Sequence, residues 1–185
     1  GKEEDIGDKK LLTESLDIFR TQQRLAHENG LKVTIHMTYA ALFNKEAVEI
    51  AKNDHEMYGD EIALSLLGLP CEEFREKYKT KDFCIWMFSM EDKKRIVDDV
   101  FGKFYGIFGF YPESTGSYYM DADLTNYIKE KYPSVKCAIA TCWEEGPKAY
   151  HTCNNSWYTL FDGGPWAPWI PSKQNTHAPA ADESE

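Results

Sequence analysis

The sequence predicts an α/β domain built as a β/α-barrel-like parallel sheet covered by helices. Helix-like and strand-like patterns alternate along the chain, and the connections between them are short. One predicted strand is apolar almost throughout, as strands buried on both faces are. No strand pattern precedes the first helix and none is clear after residue 145, so the sequence indicates an incomplete barrel.

Two helix-strand pairs are predicted in the first half of the chain. The helices are indicated by apolar residues three or four positions apart, by Gly30 as a left-handed stop and by Asn44 as a cap. The first strand alternates apolar and polar residues, whereas the second is the apolar one. In chain order, these elements are a helix over 11–29, a strand over 31–39, a helix over 44–55 and a strand over 61–67.

The second half continues the alternation as far as residue 142. Ser89 and Asp92 form a capping pair, Asp121 is a further cap, and Pro133 ends the helix that Asp121 begins. The predicted elements are a short helix over 71–78, an apolar strand over 82–88, a helix from Ser89 that breaks at the glycines 106 and 109, a helix over 121–132 and a strand over 135–142.

Length and composition indicate one folded domain. With 185 residues, 42% of them hydrophobic, the chain is long enough to bury a core. We expect a flexible N-terminus over 1–10, a single α/β domain over 11–173 with an aromatic-rich loop at 143–173, and a flexible tail over 174–185, because both ends are polar and unpatterned. The five cysteines are irregularly spaced, which favours buried thiols, Cys137 among them, over a disulfide framework.

The charge and hydropathy of the chain restrict its partners. A formal net charge of −10 provides no electrostatic attraction to nucleic acid. The sequence has no run of about 18 apolar residues, so no membrane span is predicted. No signal-peptide pattern is visible, but a processed export signal leaves no trace, so the localisation stays open, as does the oligomeric state.

Four of the five tryptophans fall in the segment 143–173, whose glycines and prolines exclude a long helix. Tryptophan and tyrosine rings stack on the apolar faces of sugars and still donate hydrogen bonds. The sequence therefore predicts a glycan-binding surface, and the alternative is an aromatic-rich covering loop. The residues assigned to this surface are Trp143, Trp157, Trp166, Trp169, His151 and Asp162, together with Tyr111 from an earlier segment.

The predicted topology gives this surface a position on the sheet. In parallel α/β folds, sites gather at the carboxyl ends of the strands. The aromatic segment follows the strand that ends at Cys142, and the segment 111–113 is expected at the same end. If the strands are parallel, these segments form a site at the carboxyl edge.

Carboxylates in the same two segments are the predicted catalytic groups. Glu144 and Glu145 follow Trp143, and desolvation beside an indole suits a general acid. Because neighbours in extended chain point in opposite directions, at most one of the pair faces a site. Glu113 is the second candidate, since glycoside hydrolysis needs two carboxyl groups about 5 to 9.5 Å apart. Solvated surface glutamates are the alternative.

His36 is the predicted catalytic histidine. It lies on the polar face of its strand with Thr34 and Thr38, so in a closed barrel it points inward. A hydrogen-bonded histidine without a catalytic role is the alternative. His55 has no second histidine at metal-binding spacing, so a divalent metal is an option without a ligand motif, and no other cofactor is indicated.

Three passages of the chain together carry a family resemblance. They are the helix-to-strand passage over 28–36, the glycine-led strand over 59–65, and the series formed by Tyr111-Pro-Glu-Ser-Thr-Gly116, the helix after Asp121 and the strand ending Thr141-Cys-Trp143. With these three passages the chain resembles the polysaccharide deacetylase-like (NodB-like) and glycoside hydrolase/deacetylase β/α-barrel superfamily. It resembles a divergent subgroup of that superfamily. The resemblance covers residues 11 to 145.

The chain departs from that superfamily at the metal site. Its members carry an aspartate pair on a first strand, which would precede Leu11 here, and Ser65 and Asp60 stand where histidines are usual. The resemblance therefore carries over no metal triad. It implies a carbohydrate-active domain, a glycoside hydrolase-like or deacetylase-like hydrolase that acts on a glycan. The alternatives are a non-catalytic glycan-binding module and a structural or interaction domain.

Overall fold

The part of the chain that the computed structural model describes contains five α-helices and six strands. That part comprises residues 9–67, 69, 71–80, 84–117, 120–139, 149–151, 158–160, 170–174, 176 and 180. The helices are α1 (Lys9–Glu28), α2 (Lys45–Tyr58), α3 (Glu72–Tyr78), α4 (Met90–Phe108) and α5 (Ala122–Lys131). The strands are β1 (Thr34–Thr38), β2 (Glu61–Ser65), β3 (Ser114–Gly116), β4 (Cys137–Ile139), β5 (Ala149–His151) and β6 (Tyr158–Leu160).

The first four strands form one parallel sheet in the order β1-β2-β3-β4. The order in the sheet is the order in the chain, and α2, α4 and α5 lie in the successive crossovers. This architecture confirms the predicted parallel α/β sheet covered by helices. Among the described strands the sheet is open, which agrees with an incomplete barrel.

The hydrophobic core lies on one face of this sheet. Ile35 and Met37 of β1 pair with Ile62 and Leu64 of β2, so their side chains share a face, and all four belong to the buried core. The same core contains apolar side chains of α1, α2, α4 and α5. The apolar side chains that α4 contributes to this core are the predicted ones, and each is at most 1% exposed: Ile96, Val97, Val100, Phe101 and Phe104.

The helix ends follow the predicted capping residues. Asn44, Ser89 and Asp121 each accept a hydrogen bond from the backbone N–H three residues later, at 3.0 to 3.2 Å. The predicted break at Gly106 is wrong, because α4 continues through it and ends at Gly109, which has a φ of 79°.

The strand predicted over 82–88 is also wrong. Ile85–Met87 forms a short 3-10 helix, and the place beside β2 is taken by β3, from the Tyr111–Gly116 motif. A short apolar run does not distinguish a strand from a buried turn of helix by its pattern alone. Ile85 is fully buried, so the run contributes to the core without joining the sheet.

Three further expectations need correction. The segment 143–173 is not entirely loop, because β5 and β6 in it pair antiparallel. Within the predicted flexible tail, Thr176 is packed into the fold, since it is 3% exposed and donates a hydrogen bond to the carbonyl of Met120 at 3.1 Å. Cys137 was expected to be buried but is exposed on β4.

Gly116 is a position where the close approach of two strands requires the absence of a side chain. A Cβ atom there would lie 2.8 Å from Cβ and 3.0 Å from the carbonyl oxygen of Ile139. We expect Gly116→Ala to lower the free energy of unfolding by about 1–3 kcal/mol, measured by urea denaturation. Gly102→Ala is the matched control. Gly102 lies inside α4, and apart from the backbone of its own helix an added Cβ atom would meet nothing within 4 Å, so the change should stabilise by about 0.5–1 kcal/mol. Equal effects of the two substitutions would contradict this account of Gly116.

Candidate functional site

A polar cleft lies at the carboxyl edge of the parallel sheet. Its volume is about 260 Å³, and it is called the carboxyl-edge cleft below. It forms where the N-terminal ends of α4 and α5 meet Gln174 and Thr176. The residues on its walls include Met90, Lys93, Asp121, Asp123, Gln174 and Thr176.

The position of the cleft follows from the crossovers. α4 runs back from the carboxyl edge to the start of β3, and α5 begins shortly after the end of β3. The N-terminal ends of both helices are therefore at the edge where parallel α/β folds place ligands. Each helix start adds a partial positive charge, which favours electron-rich groups in the cleft.

Lys93 and Asp121 form the charged wall of the cleft. The ammonium group of Lys93 donates a hydrogen bond to Oδ2 of Asp121, and only 11% of the Lys93 side chain is exposed. Asp121 also accepts the N–H of Leu124 through Oδ1. Burial alone would raise the pKa of Asp121, but the hydrogen bonds from Lys93 and from the backbone outweigh it and hold the pKa below the ordinary value.

This pair has chemical consequences for the cleft. Asp121 stays ionised at neutral pH, so it accepts hydrogen bonds from hydroxyl groups and cannot donate a proton as a general acid. Lys93 donates hydrogen bonds and offsets the carboxylate charge. Gln174 is exposed beside them and has both a donor and an acceptor. The arrangement suits a polyhydroxylated ligand.

The pH dependence of folding offers a test of the Lys93–Asp121 pair. Because the pKa of Asp121 is below its usual value of 3.8, its ionised form stabilises the fold above that value, and the stabilisation is lost as the pH falls through the lower pKa. We expect Asp121→Asn, which keeps the helix cap, to reduce the loss of unfolding free energy between pH 5 and pH 3. Denaturant unfolding at a series of pH values measures it, and an unchanged profile would contradict the assignment.

Two sequence-predicted site residues lie at the opposite edge of the sheet. Tyr111 and Glu113 precede β3, so they are at its amino end, and the expectation that they reach the carboxyl edge is wrong. Glu113 forms an exposed ion pair with Lys136 at 3.0 Å, and Tyr111 packs against Tyr105 with ring centroids 4.7 Å apart. The reason for the error is that Ser114–Gly116 is itself a strand.

His36 lies in the middle of β1 on the face opposite the core. Its neighbours Ile35 and Met37 are buried, whereas His36 is exposed. Partial desolvation lowers the pKa of His36 and the nearby carboxylate of Glu61 opposes this, so the imidazole is neutral at pH 7. The expected inward position requires a closed barrel. In the described sheet His36 is exposed on the face away from the core, and it does not line the carboxyl-edge cleft.

Among the remaining predicted residues, the structure describes His151 and leaves the others outside its described part. His151 is in β5, opposite Tyr158. Those outside the described residues are Trp143, Glu144, Glu145, Trp157, Asp162, Trp166 and Trp169. Their assignments stay predictions.

Sequence reasoning missed Lys93 as a site residue, although a signal was present. Lys93 occupies the helix position that precedes Ile96, Val97 and Val100 by three, four and seven residues, so it shares their buried face. A lysine on that face of an amphipathic helix needs a partner. Asp121 was identified only as a cap, and the contribution of Gln174 and Thr176 had no local signal.

The described residues lack two further features. They contain no cluster of three or more His, Cys, Asp or Glu side chains that could hold a metal ion. Within the same part of the chain, no helix is both long and apolar enough to cross a membrane.

Comparison with known proteins gives a likeness of fold. No family model matches the sequence, and no curated protein matches it significantly. The structure is similar to the crystal structure of a putative glycoside hydrolase/deacetylase from Parabacteroides distasonis, with a TM-score of 0.57 and 19% sequence identity. The match covers 89% of this chain and 34% of that chain, so the present chain spans about a third of that protein. At this level of identity the match shows that the two proteins share an α/β fold.

Proposed function

We propose that this chain is a carbohydrate-active domain of the hydrolase type, which takes a glycan into the carboxyl-edge cleft. The observation that carries the proposal is the position and chemistry of this cleft, at the ligand-binding edge of a parallel sheet. The similar structure, named as a putative glycoside hydrolase/deacetylase, supports a hydrolase-like role at the level of the fold.

The described part of the cleft supplies contacts for sugar hydroxyl groups. Lys93 and the side-chain amide of Gln174 donate, and the ionised Asp121 accepts. In this proposal the aromatic residues of 143–173 add ring faces for stacking, and Glu144 or Glu145 supplies the acid. Both glutamates follow β4 in the chain, which is why we assign them to the same edge.

A non-catalytic glycan-binding module is the second candidate. It is favoured by the ion pair of Asp121, which commits this carboxylate of the cleft to Lys93 and to the cap of α5. A carboxylate held in that way binds hydroxyl groups but does not exchange protons with a substrate at neutral pH.

Hydrolysis by the wild-type protein and by three glutamine variants separates these candidates. Release of reducing ends and of acetate would be measured with xylan, acetylxylan and acetylated chitosan. If one glutamate is the general acid, either Glu144→Gln or Glu145→Gln should lose about 10²–10⁴-fold in rate. Glu113→Gln, at the amino edge, is the matched control and should keep full activity.

Equal loss in Glu113→Gln and in the other two variants would contradict a site at the carboxyl edge. Saturable binding of a polysaccharide without release of either product would select the binding module. If no product is released and none of the polysaccharides binds, the proposal of a carbohydrate-active domain is contradicted.

A further inference from the structure

A second concave site lies between α1 and α2, at the amino edge of the sheet. Its volume is about 480 Å³, and it is called the α1–α2 groove below. It lies near the C-terminal ends of both helices, across the sheet from the carboxyl-edge cleft. Its walls include Arg20, Arg24 and Glu28 of α1 and Asn53, Asp54 and Tyr58 of α2.

The inner wall of the groove is fixed by buried hydrogen bonds. Gln23 and His27 line the groove, and Gln23 is 5% exposed. His27 donates from Nε2 to Oδ2 of Asp60 at 2.8 Å, and Gln23 donates to Asp60 and to Asp54 at 3.2 and 3.3 Å. These bonds hold the side chains in one arrangement, which lowers the entropy cost of binding a ligand against them.

One aromatic ring completes this wall. Tyr58 stacks on His27 with ring centroids 3.7 Å apart and planes 15° from parallel. Tyr58 remains 44% exposed, so part of the ring is available to a ligand. Because the imidazole behind it is tied to Asp60, the tyrosine ring has a fixed support.

The charges around the groove favour a neutral ligand. Arg24 forms an ion pair with Glu28 at 2.8 Å and Arg20 forms one with Glu46. The carboxylates of Asp54 and Asp60 accept hydrogen bonds from Gln23 in the same wall. The C-terminal ends of α1 and α2 add partial negative charge. An anion such as phosphate therefore finds no net positive field. The guanidinium, carboxylate and amide groups still provide many hydrogen-bond donors and acceptors.

We propose that the α1–α2 groove binds a neutral saccharide unit, which packs on Tyr58 and hydrogen-bonds to Asn53, Asp54 and Arg24. An exposed tyrosine ring beside alternating donors and acceptors matches a sugar, which has an apolar face and a rim of hydroxyl groups. This second site is independent of catalysis at the carboxyl-edge cleft. It gives the domain a place to hold a glycan chain away from that cleft.

Nuclear magnetic resonance titration of the whole chain tests this proposal. The probes are glucose, galactose, mannose, xylose and N-acetylglucosamine, each also as its β-1,4-linked tetramer. For at least one probe we expect saturable shifts of the His27 ring and of backbone signals of α1 and α2. Tyr58→Leu keeps an apolar side chain but removes the flat ring, and it should raise the dissociation constant about tenfold.

Three more variants keep the test independent of folding. Asn53→Ala changes an exposed helical position and should raise the dissociation constant about fivefold. Tyr105→Leu, an exposed tyrosine of α4, is the matched control and should leave it unchanged. Gln174→Ala should also leave it unchanged, because Gln174 belongs to the carboxyl-edge cleft. No saturable shift at the groove with any probe, or unchanged binding in both Tyr58→Leu and Asn53→Ala, would overturn the proposal without affecting that cleft.

Discussion

Replacement of Asp60 by alanine is expected to lower the free energy of unfolding by about 3–5 kcal/mol. The Asp60 side chain is fully buried and accepts three hydrogen bonds, from Gln23, from His27 and from the backbone N–H of Val33. Its own carbonyl oxygen lies 2.6 Å from Nδ1 of His55. The carboxylate thus joins α1 to the start of β1 and β2. Its removal leaves buried donors without an acceptor, and each such group costs about 1–3 kcal/mol.

An exposed aspartate on α1 provides the control for this prediction. Asp17 is 71% exposed and is 3.4 Å from Arg20. Asp17→Ala should change the unfolding free energy by less than about 1 kcal/mol, because exposed ion pairs contribute little. Urea denaturation of both variants measures the difference. If Asp60→Ala is no less stable than Asp17→Ala, Asp60 does not organise this end of the fold.

Truncation of Phe101 to alanine is the other change with a large expected effect, a loss of about 3–5 kcal/mol of unfolding free energy. Phe101 is fully buried in α4. Its ring stacks on Tyr132, which follows α5, with centroids 4.2 Å apart. The substitution removes this contact and leaves a cavity between α4 and the end of α5.

Two control variants accompany Phe101→Ala: one leaves a smaller cavity, and the other removes an exposed ring. Phe101→Leu refills part of the space and should lose less than the alanine variant. Tyr105→Ala, one helical turn later and 47% exposed, should change stability by no more than about 1 kcal/mol. If the Phe101→Ala and Tyr105→Ala proteins are equally stable, the contact of Phe101 between α4 and the end of α5 does not contribute substantially to the free energy of unfolding.

The elements with long patterns were predictable from sequence, and the three-residue strand β3 was not. α4 combines a capping serine with apolar residues at helical spacing over 19 residues, so its buried face followed from the pattern. β3 has three residues, Ser114, Thr115 and Gly116, which show no apolar alternation. Its strand conformation comes from pairing with Leu64 on one side and Cys137 on the other, and such tertiary pairing leaves no local signal.

The same limit applies to the candidate site. The carboxyl edge followed from the order of helices and strands, and the capping role of Asp121 followed from its position. Thr176, however, reaches this edge through a hydrogen bond to Met120, 56 residues away in the chain. The wrong placement of Glu113 and Tyr111 has one cause, the error at β3, because a segment that precedes a strand lies at the opposite edge from one that follows it.

A crystal structure of the protein with a bound oligosaccharide tests the central proposal most directly. The oligosaccharide would be the fragment of xylan, acetylxylan or chitosan that binds most tightly in solution. We expect a sugar residue at the N-terminal ends of α4 and α5, with hydroxyl groups within hydrogen-bond distance of Lys93, Asp121 or Gln174. A sugar bound only at other surfaces, with the carboxyl-edge cleft empty, would contradict the proposal.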